Sequence, residues 1–267
     1  MASSLLASSQ PIMDGFVDLL RRRRSNKTRT DLLSSMVLLE PPVLHPSRFV
    51  AANYYTYFGR PSTSTTVYAT NLKARFLHFT RHLQSSDDAA RIFWGLRNVS
   101  ILKTTASSTD SASARDMHFS DRCELLEREV QQLLHRALRD SNAEPEKSNL
   151  IFTLFARASL LYIYSMLRDL LMNVKMFEEL GNILEESMDI DDKDLNLLLG
   201  TFPDLMLWML FLGGGMAALS RKIWYAKTAG RILRVWKVED NMIKGAATAF
   251  LWPEGRENYD DSLPSST

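Results

Sequence analysis

A chain of 267 residues with 45% hydrophobic content is long enough for one large or two small packed domains. Its 32 basic and 31 acidic residues leave a formal charge of +1, so no global field draws it to nucleic acid or to an anionic membrane, and any DNA contact has to be local. The single cysteine, Cys123, excludes an internal disulfide and a multi-cysteine zinc site, and suits a reducing compartment, cytosol or nucleus.

Residues 1–48 read as an N-terminal segment. Residues 1–10 are rich in Ser and Ala, as loose termini are. The basic run follows the apolar part instead of leading it, which is not the order of a secretory signal. Ile12, Phe16, Leu19 and Leu20 recur at helical spacing after Pro11 and predict a short amphipathic helix. Arg21, Arg22, Arg23 and Arg24, with Lys27 and Arg29 close behind, have two readings: a nuclear-import patch, or a solvated helix end favoured by the dipole. Pro41, Pro42 and Pro46 then force an extended connector. Residues 49–58, FVAANYYTYF, offer a large aromatic payload that suits core packing better than a ligand box.

From Asn71 to Leu83, apolar residues at 3-4 spacing predict a helix carrying His78 and His82 at i and i+4. That spacing can hold a metal, but no third ligand accompanies it, so surface histidines are expected. Ala89 to Leu102 predicts a second helix, and the low-complexity tract TTASSTDSASAR predicts a loop near 104–118. Asp121 to Asp140 reads as a surface helix with one apolar stripe, a capping-box-like start at Asp121 and Glu124, and a surface pair of Glu124 with Arg128. Leu150 to Val174 is a long apolar helix whose charges are Arg157, Arg168 and Asp169.

Phe177, Leu180, Ile183, Leu184 and Met188 continue helical spacing, and residues 189–194, DIDDKD, read as an acidic turn. A calcium loop would need Gly at its sixth position and Glu at its twelfth, where this chain has Asp194 and Gly200. The run FPDLMLWMLFLGGGMAAL, 202–219, is apolar all round behind Pro203 and Asp204, which predicts a helix buried on every side. It is shorter than the roughly 20 residues of a bilayer span. Gly213, Gly214 and Gly215 each cost about 1 kcal/mol of helix propensity relative to Ala, and close approach of a neighbouring helix is the expected reason. No Lys-Ser/Thr pair follows them, as a P-loop requires. Two more helical patterns, RKIWYAKTAGRIL and WKVEDNMIKGAATAFLW, precede a polar tail at 254–267.

These elements predict an all-α, multi-helix globular domain over 49–253, with a buried central helix near 203–219. Neither a nucleophile elbow nor a kinase, Rossmann or zinc-hydrolase signature is present, so the chain is read as not an enzyme, with no catalytic residue, cofactor or metal.

From Leu150 to Trp252 the chain resembles the C-terminal half of the fungal-specific transcription factor domain, the helical regulatory region that follows a binuclear zinc cluster. The resemblance rests on RASLLYIYSMLRDL, on LMLWMLFLGGGMAAL, on the pair Trp224 and Tyr225 after a basic step, and on WKVEDNMIKGAATAFLW, in the family's order. It implies a nuclear regulator of transcription acting through protein partners, a homodimer among them, with Trp208, Gly213, Gly214, Gly215, Trp224, Trp236 and Trp252 as packing positions. The family's cluster takes six cysteines, and this chain has one, so direct DNA contact through a zinc cluster is not expected. The chain is then either a stand-alone relative of the regulatory domain or a shortened form of a longer kin. Two readings compete with regulation: a membrane-associated scaffold inserting 150–174 and 202–219 as a hairpin, and a small-molecule-binding module with an aromatic interior.

Overall fold

The computed structural model describes residues 63–106, 112–143, 147–168, 174–188, 191–217 and 219–236. Among these there are eight α-helices, one π-turn and no strand, so the fold is all-α. The basic run at 21–29, the aromatic segment 49–58, Trp252 and the tail lie outside the described residues.

Helix α1, Thr63–Thr80, buries Leu72, Phe76 and Thr80 at i, i+4 and i+8, the spacing that keeps one stripe against the core. It stops because Arg81 takes φ 60°, with its N–H donating to Leu77 O at 2.9 Å, a left-handed C-terminal turn made without glycine. Helix α2, Leu83–Ala106, turns its buried Ala89, Ile92, Phe93, Leu96 and Val99 back onto α1. Helix α3, Ala112–Ala143, runs 32 residues and packs between α2 and α4, Lys147–Tyr162.

Helix α4 passes through the middle of the domain, touching α1, α2, α3, α5 (Val174–Met188) and α7 (Pro203–Met216). Ile151 to Ala156 are all buried, as a helix packed on every side requires. A π-turn, Ile163–Leu167, extends α4 and is closed by Arg168 N–H donating to Ile163 O at 2.9 Å. Helix α6, Asp192–Thr201, starts under Asp191, whose side chain accepts from Asp194 N at 2.7 Å. Phe202 then separates α6 from α7 and the two cross at 113°, because Pro203 at the first position of α7 cannot continue the preceding helix. Helix α7 buries Leu205 through Leu210 without a break. Ala217, at ψ 152°, ends it, and α8 follows as Leu219–Trp236.

Several expectations change. The tract at 104–118 is helical at both ends, 104–106 in α2 and 112–118 in α3, so Ser and Ala there serve as ordinary helix residues. Helix α3 starts nine residues before Asp121 and is no surface helix: its middle is enclosed by α2, α4 and the π-turn, burying Cys123, Glu127, Arg128 and Gln131. The long helix expected from Leu150 to Val174 changes hydrogen-bond register at Ile163. The buried central helix is present but ends at Met216, not Leu219, and shares the centre with α4.

Asn149–Leu167 is the one described stretch long and apolar enough to cross a membrane by composition, with α6 and α7 qualifying only as a bent pair. Burial of 83% of that stretch inside the fold accounts for its apolar character. Helix α7 alone spans about 21 Å, short of the roughly 30 Å hydrocarbon core.

Candidate functional site

Two clusters of charged groups reach into the interior. In the first, Arg75 on α1 reaches the start of α7 and grips Asp204 with both ends of its fork, Nη1 to Oδ1 at 2.7 Å and Nη2 to Oδ2 at 2.8 Å. Tyr68, seven residues earlier on the same helix, donates its hydroxyl to Asp204 Oδ2. The guanidinium also lies 5.9 Å from the ring centroids of Tyr68 and Phe202. Burial alone would push the Asp204 carboxyl up, but the hydrogen bonds and charge of Arg75, with the Tyr68 hydroxyl and the Leu205 amide, outweigh it and hold the group below the usual carboxylate range. The Tyr68 phenol is driven the other way, by burial and then by the Asp204 charge. This is a clamp between α1 and α7: the fork supplies two directional bonds at the helix N-terminus, where a carboxylate already favours the dipole.

The second cluster surrounds the π-turn. Glu127 of α3 is fully buried and accepts from the Tyr164 hydroxyl and from Arg168 Nη2, the latter at 2.7 Å. Lys103, near the end of α2, donates to Met166 O. The extra residue per turn opens the hydrogen-bond ladder and leaves carbonyls for side chains to satisfy. Cys123 sits one turn before Glu127; burial first, then the Glu127 charge, push its thiol up to about 12 against the opposing pull of Arg168 and Lys103. It is therefore protonated at neutral pH and a poor nucleophile. Across the fold, Arg157 of α4 donates to Ser187 and, at 3.3 Å, to Ile183 O of α5.

Apart from Cys123, each of these groups bonds to another element of the fold. Among the described residues no three His, Cys, Asp or Glu side chains converge as a metal site. His78 and His82 do not share a helix face, because α1 ends at Thr80 between them. Asp191 caps α6, Asp192 and Asp194 lie in its first turn, and all three stand at the surface or half-buried.

The packing positions divide. Trp208 is buried, its ring centroid 5.9 Å from that of Tyr162 and 6.4 Å from that of Phe155. A Cβ on Gly213 would stand 2.5 Å from Tyr225 Cε1, and one on Gly214 would stand 3.1 Å from Tyr225 Cβ. Close approach of α8 thus explains Gly213 and Gly214, while a Cβ on Gly215 would meet nothing within 4 Å. Trp224 is half-buried and edge-on to Tyr225 at 5.0 Å between centroids. Trp236 is the last residue of α8. The Glu124 and Arg128 pair exists at 3.2 Å, but Arg128 has only 5% of its side chain exposed and is no surface residue.

Neither charged cluster has a signature in the sequence. What the sequence does offer is Arg168 inside an apolar run and Asp204 in the first turn of a helix, with nothing that pairs either with its partner. Comparison with family models, with curated proteins and with solved structures finds no match to this chain.

Proposed function

We propose that this chain is a non-catalytic helical module acting in the regulation of transcription through protein partners in the nucleus, as the resemblance to the fungal-specific transcription factor domain implies. The observation that supports a scaffold over an enzyme is the use made of the interior charges: Asp204, Glu127, Arg75 and Arg168 are each bonded to a side chain on another helix. A catalytic acid or base faces a reacting group, with its pKa poised near working pH. Here the carboxylate oxygens are held in interhelical bonds, and the one thiol is buried and protonated. With one cysteine, these 267 residues do not themselves form a six-cysteine zinc cluster.

The test is a full-chain fluorescent fusion for location, together with a fusion to an unrelated DNA-binding domain at a reporter promoter. Nuclear accumulation that falls when Arg21, Arg22, Arg23 and Arg24 are changed to Ala, with a change in reporter output on tethering, is the expected result. A fusion that stays out of the nucleus and leaves the reporter unchanged overturns the reading.

A further inference from the structure

Arg75 holds Asp204, Arg128 holds Glu124, Arg168 holds Glu127 and Arg221 holds Glu185. Arg157, in the apolar run of α4, is different. Its Nη1 donates to Ser187 Oγ and to Ile183 O, both neutral, and among the described residues no carboxylate comes within ion-pair distance of it. Burial pulls its pKa down, and the acid that opposes this through space is Glu186, which stands exposed. A half-buried cation bonded to neutral oxygens alone is a receptor short of its anion. Ser187, the oxygen it touches, is half-buried in the last turn of α5, where the final carbonyls of a helix lack onward partners and the backbone frays most readily. Its neighbours in sequence are acidic: Glu185 and Glu186 before it, Asp189, Asp191 and Asp192 after it.

We propose that Ser187 is a phosphorylation site and that Arg157 is the receptor of its phosphate. The donor is a nucleoside triphosphate, and the enzyme is a Ser/Thr protein kinase whose peptide groove is basic, to complement the flanking acids. In the transfer the bond from Ser187 Oγ to the γ-phosphorus forms, the bond from that phosphorus to the bridging oxygen breaks, the nucleoside diphosphate leaves, and the hydroxyl proton passes to the base of the kinase. The phosphate brings up to about two negative charges and three acceptor oxygens to a side chain that Arg157 already touches, so a neutral bond between α4 and α5 becomes a charge-assisted one. The dipole at the end of α5 and the charge of Glu186 oppose a phosphate there, and the Arg157 guanidinium decides whether it is held. Because α5 also accepts the Tyr225 hydroxyl of α8 at Gly181 O, the added bond ties α4, α5 and α8 more firmly together.

The test begins with the full chain expressed in eukaryotic cells, digested with trypsin and read by mass spectrometry. Residues 176–193, MFEELGNILEESMDIDDK, carry Ser187 as their sole hydroxyl residue, so a gain of one phosphate on that peptide, lost in Ser187→Ala, locates the mark. The full chain is then made with phosphoserine encoded at position 187, and its phosphorus resonance is followed against pH. A free phosphoserine titrates at about pH 6. Beside Arg157 the titration is expected to fall to about pH 5, and Arg157→Gln should return it to about pH 6 or above. Should that variant fail to fold, Arg157→Lys, which keeps the charge and loses the fork, should return it part of the way. A 176–193 peptide that never carries phosphate, or a phosphate whose titration ignores Arg157, overturns the proposal.

Discussion

Replacing Gly213 with alanine puts a methyl 2.5 Å from Tyr225 Cε1 and 2.6 Å from Cζ and Oη. A side-chain tip can often swing aside, but this one is held: Tyr225 is 2% exposed, its hydroxyl donates to Gly181 O at 2.8 Å, and Trp224 stands edge-on to its ring. Alanine gains about 1 kcal/mol of helix propensity over glycine. Against it stand overpacking, about 1–3 kcal/mol, and weakening of a buried hydrogen bond, about 1–3 kcal/mol. The expected net loss is about 2 kcal/mol, whereas Gly215→Ala, with no atom within 4 Å of the new methyl, should gain up to about 1 kcal/mol. Urea unfolding of both variants against the parent, read at constant slope, measures the difference. Gly213→Ala in a Tyr225→Leu background should cost less than in the parent, because the clash partner has gone. Equal stability of the Gly213→Ala and Gly215→Ala variants would refute the argument that Tyr225 is what demands glycine.

Trp208→Ala should destabilise by about 3–5 kcal/mol in the same titration, because the side chain is buried against Tyr162 and Phe155 and leaves a cavity. Asp204 has its folded pKa below the ordinary 3.8, so its contribution to stability is complete well above that value and is lost as pH falls through the folded pKa. An Asp204→Asn variant should be less stable at neutral pH and should lose less than the parent between neutral pH and acid. Cys123 should resist alkylation in folded protein at neutral pH and react fully in urea, read by mass shift.

Helical class was legible because apolar spacing survives without knowledge of partners: Phe177 to Met188 and Phe202 to Leu212 gave their helices directly. Helix α3 shows where that reading ends. Glu127, Arg128 and Gln131 are residue types usually found in water, and donors some forty residues later, Tyr164 and Arg168, make the burial of Glu127 tolerable. Pairing between distant helices leaves no periodic trace in either. The same holds for Arg75 and Asp204, whose separation of 129 residues hides a bond that the helix dipole explains only in part. The glycine run was legible as close approach, but not which glycine carries it, because that depends on where one tyrosine ring lies.

The π-turn at Ile163–Leu167 also bears on how this chain tolerates changes of length. Removing one residue from an ordinary α-helix rotates everything beyond it by about 100° relative to its partners, which in α4 would turn Tyr162 and Tyr164 away from Ser100 and Glu127. A π-turn already carries one residue more than an α turn needs. Deleting Met166, half-buried and bonded through its carbonyl to Lys103, would draw that turn toward α register at the end of the helix, leaving Tyr162 and Tyr164 upstream in phase, at the expense of the Lys103 bond and of the Arg168 bond to Glu127. The site at which this core departs from regular geometry is thus the site where its central helix can shorten with least damage.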